Sequence, residues 1–153
     1  MTRNAGEAAP SRPDGVDARL ARHGGLSYLE ISTVDPRRSA TFYERVFGWE
    51  VDWRGQDDPR FADRSGQLIG RWVTGRAPAR EPGLLPYVYV DSIDDAIEQA
   101  IAQGGQVVRA PYLEGDTWIA TVRDPAGNLI GIWQAAERRV AKDVGNTREG
   151  ADR

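Results

Sequence analysis

One order of elements occurs twice in this chain, and that order constrains the fold more than any other feature. Leu26–Thr33 is rich in apolar and β-branched residues and predicts a strand. Asp35-Pro36 then supplies a capping side chain and a proline suited to a first helical turn. The spacing of Ala40, Tyr43, Val46 and Phe47 predicts a helix over Pro36–Val46, stopped by Gly48. Three strands follow, Trp49–Arg54, Arg60–Arg64 and Gln67–Thr74, the last two a hairpin across Ser65-Gly66. After a Pro/Arg/Ala linker at Gly75–Gly83 the order begins again. Leu84–Val90 reads as a strand and Ile93–Gln103 as a helix capped by Asp91 or Ser92, with Ile93, Ala96, Ile97, Ala100 and Ile101 on one face. Gln106–Ala110, Thr117–Arg123 and Leu129–Gln134 read as strands, with a turn at Asp124–Asn128. Val34-Asp35-Pro36 with Ala40 is echoed by Val90-Asp91-Ser92 with Ala96. The expected class is therefore α+β, with two paired βαβββ modules over about 25–75 and 84–135. They form a single domain, 25–135, between a polar N-terminal tail, 1–24, and a polar C-terminal tail, 136–153, in which a short helix over Ala135–Asp143 has room.

Composition narrows the chemistry. The chain has no cysteine, which excludes disulfides, thiolate metal sites and cysteine nucleophiles. It has one histidine, His23, so sites built on several imidazoles within one chain are excluded. His23 reads as a loop residue beside Gly24-Gly25. The net charge is −3 with both signs interspersed, so no basic patch points to nucleic acid. No apolar run is long enough to span a membrane, and the first residues hold no apolar leader core. A cytoplasmic location is the expectation.

Three motifs in order carry a resemblance. Phe42-Tyr43-Glu44-Arg45-Val46-Phe47-Gly48-Trp49, Tyr87–Asp91 followed by Gly104-Gly105, and Asp124-Pro125-Ala126-Gly127-Asn128 together resemble the vicinal oxygen chelate superfamily. That superfamily includes glyoxalase I, extradiol dioxygenases and bleomycin-resistance proteins. The resemblance covers about Leu26 to Gln134. It implies two modules whose strands curl as a mixed sheet around a cleft, with metal ligands on four strands in the metalloenzymes. Carried over residue by residue, those ligand positions are Tyr28, a position near Gly70, Leu85 and Gly131. None is an ordinary divalent-metal donor. The expectation is therefore a metal-independent protein without a cofactor.

The same positions set a face on each strand, because side chains alternate. The expected cleft residues are Tyr28, Glu30 and Ser32 on the first strand. Leu68, Gly70 and Trp72 come from the fourth, Leu85, Tyr87 and Tyr89 from the fifth, and Leu129, Gly131 and Trp133 from the last. In this reading the aromatic rings form flat walls, and Gly70 and Gly131 leave room between them. Glu30 is either ion-paired within the sheet, with Arg71 or Arg123, or a ligand anchor or general base. Trp49 is expected in the core, Asp35 and Asp91 as caps. Trp53 and Trp118 fit core, rim or dimer contact alike.

The function expected first is a small-molecule binding protein of the bleomycin-resistance type, taking a planar or aromatic ligand such as an antibiotic, and working as a homodimer. The alternative is a metal-free isomerase, cyclase or lyase with Glu30 as base and Tyr28 or Tyr87 as proton donor. Glu114 and Asp116 could assist from the rim. A third reading is an interaction module whose cleft is vestigial.

Overall fold

The computed structural model describes residues 17–55 and 57–139. Most of the two expected tails lies outside the described residues. Both modules are observed. The first runs β1 (Tyr28–Ser32), α1 (Pro36–Phe47), β2 (Glu50–Asp52), β3 (Arg60–Ala62) and β4 (Ile69–Val73). The second runs β5 (Tyr87–Tyr89), α2 (Ile93–Ala102), β6 (Gln106–Glu114), β7 (Thr117–Arg123) and β8 (Leu129–Ala135). A 3-10 turn spans Ala136–Arg138, and the rest of the helix expected over Ala135–Asp143 lies outside the described residues from position 140 on. The strands form two mixed four-stranded sheets, in the orders β1-β4-β3-β2 and β5-β8-β7-β6. In each, the first strand lies parallel to the last and the other pairings are antiparallel. Neither sheet closes into a barrel. No helix among the described residues is long and apolar enough to cross a membrane.

Local chemistry explains where the helices start and stop. The Asp35 carboxylate accepts from the Arg38 amide at 3.1 Å, and Pro36 opens α1. Gly48 closes it in the left-handed region, φ 66°, with its N–H bonded to the Glu44 carbonyl. In α2 it is Ser92, not Asp91, that caps, accepting from the Asp95 amide at 3.2 Å. Strand β6 runs four residues further than the sequence pattern predicts, through Pro111. A proline is tolerated there because β6 is the outer strand of its sheet and its pairing to β7 carries two register shifts.

Each helix packs on one face of its own sheet, and the core lies between. The Asp124–Asn128 turn binds the modules together. The Asp124 carboxylate accepts from the amides of Ala126, Gly127 and Asn128, from Asn128 Nδ2 and from the Tyr43 hydroxyl, all between 2.8 and 3.0 Å. Asn128 Nδ2 also donates to the Ser32 carbonyl at 2.7 Å, and its Oδ1 accepts from the Ala79 amide at 2.8 Å. One buried turn thus holds the end of β1, helix α1 and the linker. Burial, together with the negative charge of Asp124, pushes the Tyr43 phenol well above its ordinary range.

Candidate functional site

The face of each sheet turned away from its helix is the open face, and strand register decides what stands on it. In the first sheet Tyr28 pairs with Ile69, Glu30 with Arg71 and Ser32 with Val73. Arg71 pairs onward with Arg60, and Ile69 with Ala62. Arg60 pairs with Asp52, and Ala62 with Glu50. Paired residues share a face. The open face therefore carries Tyr28, Glu30 and Ser32, as expected for β1, but Ile69, Arg71 and Val73 from β4.

Trp72 faces the other way, which corrects its assignment to the cleft; Gly70 turns its Cα–H to that same inner side, although it also lines the cavity on this sheet. They pair with Ile31 and Leu29, and Gly70 pairs across β3 with Phe61. Trp72 is 2% exposed, its ring 4.9 Å from Phe61 and 5.7 Å from Tyr43. A Cβ at Gly70 would fall 1.9 Å from the Leu29 carbonyl oxygen and 2.5 Å from the Phe61 ring. This glycine lets backbone and ring close in; it opens no room. The physical reason is the charge at the middle of Ile69-Gly70-Arg71-Trp72-Val73. Arg71 takes the solvent side, and alternation then sends Gly70 and Trp72 inward.

In the second sheet Tyr87 pairs with Gly131 and Tyr89 with Trp133, all on the open face, while Val88, Ile130 and Ile132 turn to the helix. Tyr28, Tyr87 and Tyr89 are 49%, 48% and 42% exposed. Tyr89 and Trp133 meet edge to face at 4.9 Å. Gly131 does not leave a vacant floor either. The Tyr87 ring lies over it, 2.3 Å from where a Cβ would stand. Leu68, Leu85 and Leu129 are half-buried, Leu68 and Leu85 just ahead of β4 and β5. The pairing of β8 through β7 to β6 also places Thr121 and Ile119 on this face, beside Arg109 and Tyr112. The Arg109 guanidinium stands 3.5 Å from the Tyr112 ring.

Glu30 is engaged by two arginines. Arg76 of the linker reaches its carboxylate at 2.5 Å, and Arg71 lies 3.9 Å away. Its side chain is 36% exposed, so the buried carboxylate that a general-base role calls for is not what the structure shows. Arg123 instead donates to the carbonyls of Arg80 and Gly127. Ser32 Oγ donates to the Arg76 carbonyl, so the linker is tied along β1. On β2, Arg54 holds the Asp52 carboxyl down to about 2 by hydrogen bonds to both of its oxygens.

A cavity of about 490 Å³ opens on the first sheet, lined by Tyr28, Ile69, Ala62, Arg60, Asp52 and Glu50 among others. A second, of about 290 Å³, lies where β1 and β5 approach, with Leu29, Leu68, Tyr87 and Tyr89 in its wall. Trp133 lines neither. A groove of about 630 Å³ runs on the helix side, between the end of α1 and the start of α2. Sequence reasoning named Arg71 as a partner of Glu30 but missed Arg60 and Ile69 on this face, and the central charge of β4 was the signal that would have found them. His23 sits exposed in the loop before β1.

The residues at the metal-ligand positions of the superfamily do not fit a divalent ion. They are Tyr28, Leu85 and Gly131, and the open-face residues of β4 are Ile69, Arg71 and Val73. Among the described residues no group of three or more His, Asp or Glu is placed to hold a metal.

The family model of the glyoxalase-like domain matches residues 28–133. The chain is 27% identical over 127 residues to the putative glyoxylase CFP32 of Mycobacterium bovis, an alignment that covers 74% of this chain and 47% of that protein. It thus spans about half the length of the curated relatives it matches. A glyoxalase/bleomycin resistance protein/dioxygenase family enzyme from Burkholderia phytofirmans PsJN superposes with a TM-score of 0.60 at 22% identity, covering 73% of this chain and 99% of that one. TnmS3, an antibiotic binding protein from Streptomyces sp. CB03234, superposes with a TM-score of 0.56 at 21% identity, covering 73% and 96%.

Proposed function

Because this chain belongs to the glyoxalase-like domain family, we propose that it uses the family's open sheet faces to bind a small organic molecule without a metal ion. One observation carries the reading. Where a metalloenzyme of this fold places donors, the chain places a tyrosine, a leucine and a glycine, and it exposes Tyr28, Tyr87 and Tyr89 on the same faces, with Trp133 against Tyr89. Exposed rings on a fixed sheet offer flat apolar area at little entropic cost, which suits a planar or aromatic ligand. Antibiotic binding by a protein of the same fold supports this ligand class. Glu30 serves here as part of an ion-paired rim.

A second copy of the chain completes the site in this reading. The 490 Å³ cavity is lined by the first module alone, and the rings of the second module stand on a separate sheet. Light scattering after gel filtration is expected to give twice the chain mass; a monomer at micromolar concentration would remove the dimer.

The binding reading is tested by nuclear magnetic resonance with a panel of planar aromatic compounds, with and without a chelator. Saturable shifts confined to open-face residues, unchanged by chelator and with the compound recovered intact, are expected. Binding that chelator abolishes would overturn the metal-free reading. A changed product mass, lost in Glu30→Gln, would replace binding by catalysis.

A further inference from the structure

We infer that the ligand carries an anionic oxygen group, such as a carboxylate, seated between Arg60 and Arg71. The inference rests on the open face of the first sheet being a binding face. It begins with a row of four charges that the register sets side by side across that sheet: Glu30 on β1, Arg71 on β4, Arg60 on β3 and Asp52 on β2. The two arginines are direct cross-strand neighbours, an arrangement that repels unless something neutralises it. The flanking carboxylates give their hydrogen bonds to other arginines and reach the inner pair only by attraction at longer range. Glu30 is held at 2.5 Å by Arg76 and stands 3.9 Å from Arg71, beyond hydrogen-bond reach. Asp52 gives both of its oxygens to Arg54. Arg60 keeps Asp58 at 3.5 Å. Arg71 Nε is buried and has no hydrogen-bond partner.

Beyond these two longer ion pairs, the inner pair therefore has hydrogen-bond donor capacity that no group among the described residues uses. A planar guanidinium is built to meet a carboxylate through two parallel hydrogen bonds. The next row on the same face is Tyr28, Ile69 and Ala62, two residues along each strand and so about 7 Å away. Tyr28, Ile69, Ala62 and Arg60 line the 490 Å³ cavity, and Arg71 stands next to Arg60 in the register, outside that lining. The recognised class is thus an aromatic or alicyclic acid, its ring over Ile69 and Ala62 beside Tyr28 and its acid group on the arginines.

The probes are 2-naphthoate and its neutral isostere 2-naphthamide, titrated into the full chain while arginine Nε–H and open-face amide resonances are followed. The expected result is at least tenfold tighter binding of the acid at low salt, with a gap that shrinks as salt rises. Arg71 and Arg60 Nε–H signals shift with the acid only. Arg71→Gln and Arg60→Gln each lose about tenfold for 2-naphthoate and nothing for 2-naphthamide. Glu30→Gln, which removes a competing charge, tightens the acid several-fold. Arg60 is the more exposed of the pair, so its variant carries the test if Arg71→Gln does not fold. Equal affinity for acid and amide at the open face, or acid binding indifferent to both arginine variants, overturns the anion inference and leaves the binding reading standing. If neither probe moves an open-face resonance at millimolar concentration, both fall.

Discussion

The two modules share one strand order but place most of their aromatic residues on opposite sides of it, Tyr28 and Trp118 being the exceptions. In the first, Phe42, Tyr43, Phe47, Trp49, Phe61 and Trp72 are buried between helix and sheet, and the open face is charged. In the second, the space under the helix is filled by Ile93, Ala96, Ala100, Ala120, Val122, Ile130 and Ile132, and the rings of Tyr87, Tyr89 and Trp133 stand on the open face. The contrast is sharpest in the two last strands. Gly70-Arg71-Trp72 and Gly131-Ile132-Trp133 read almost alike, yet their glycine and tryptophan point to opposite faces. The middle residue decides. An arginine there goes to solvent and an isoleucine goes under the helix, and alternation carries its neighbours with it. Two similar tripeptides thus put a tryptophan in the core in one half and on the open face in the other.

The largest expected effect breaks or upholds that inversion directly. Trp72→Ala removes a ring packed against Phe61 and Tyr43 and is expected to cost about 3–5 kcal/mol. Trp133→Ala removes one edge-to-face contact from a half-buried ring and is expected to cost about 1 kcal/mol. Urea denaturation of the two variants measures both. Equal costs would mean that the two tryptophans occupy equivalent positions after all.

The elements themselves were legible because each rests on local chemistry: caps at Asp35 and Gly48, an apolar stripe on each helix, a turn at Asp124–Asn128. Register on β1, β5 and β8 came from counting along the resemblance, and the aliphatic residues on their opposite faces agreed with it. On β4 the counted position was fixed only to about two residues, and an error of one residue flips every side chain. The meaning of the glycines was not legible. A glycine in a strand marks either vacancy or close approach, and what fills the space comes from elsewhere in the chain. Phe61 arrives over Gly70 from β3, and Tyr87 arrives over Gly131 from β5. The second arginine on Glu30 could not be foreseen either, because Arg76 reaches it from a linker without periodicity. Nor did the turn motif announce that Asp124 would hold a tyrosine 81 residues away.

The glycines supply the next prediction. Gly70→Ala drives a methyl group into the Leu29 carbonyl, which is backbone and cannot step aside, and is expected to cost about 3 kcal/mol. Gly131→Ala meets first the half-exposed ring of Tyr87, a side chain and not backbone, so a smaller cost of about 1 kcal/mol is expected. Thermal and urea melts rank the pair, and a reversed order would mean that Gly70 is not in close approach.

Between the modules, Tyr43→Phe keeps the ring and removes the hydroxyl from Asp124, for an expected cost of about 2 kcal/mol at neutral pH. It also alters the alkaline limb of stability. An unfolded tyrosine loses its proton near pH 10, whereas the buried phenol holds its proton well beyond that. The unfolded state therefore binds fewer protons above about pH 10, and stability falls as pH rises through that window. The wild type should lose stability above pH 10 more steeply than Tyr43→Phe. Parallel limbs in the two proteins would mean that Tyr43 is not the group responsible.

The smallest effect marks where the modules are alike. Asp35 and Ser92 stand at corresponding places, one residue before their helices, and each accepts an amide three residues on, at 3.1 and 3.2 Å. Substituting either by alanine is expected to cost about 1 kcal/mol, the usual loss of a side-chain cap. The exchange variants Asp35→Ser and Ser92→Asp are expected to stay within about 0.5 kcal/mol of wild type, because both residue types cap about equally well. Chemical denaturation of the four variants tests this. A large cost for either exchange would show that the cap does more than close a helix, and Asp35 is where that would be seen first, since its own amide donates to Thr33 Oγ1, which is bonded in turn to Ser39. Interchangeable caps beside non-interchangeable tryptophans would locate the divergence of the two halves in strand register, not in the helices that precede it.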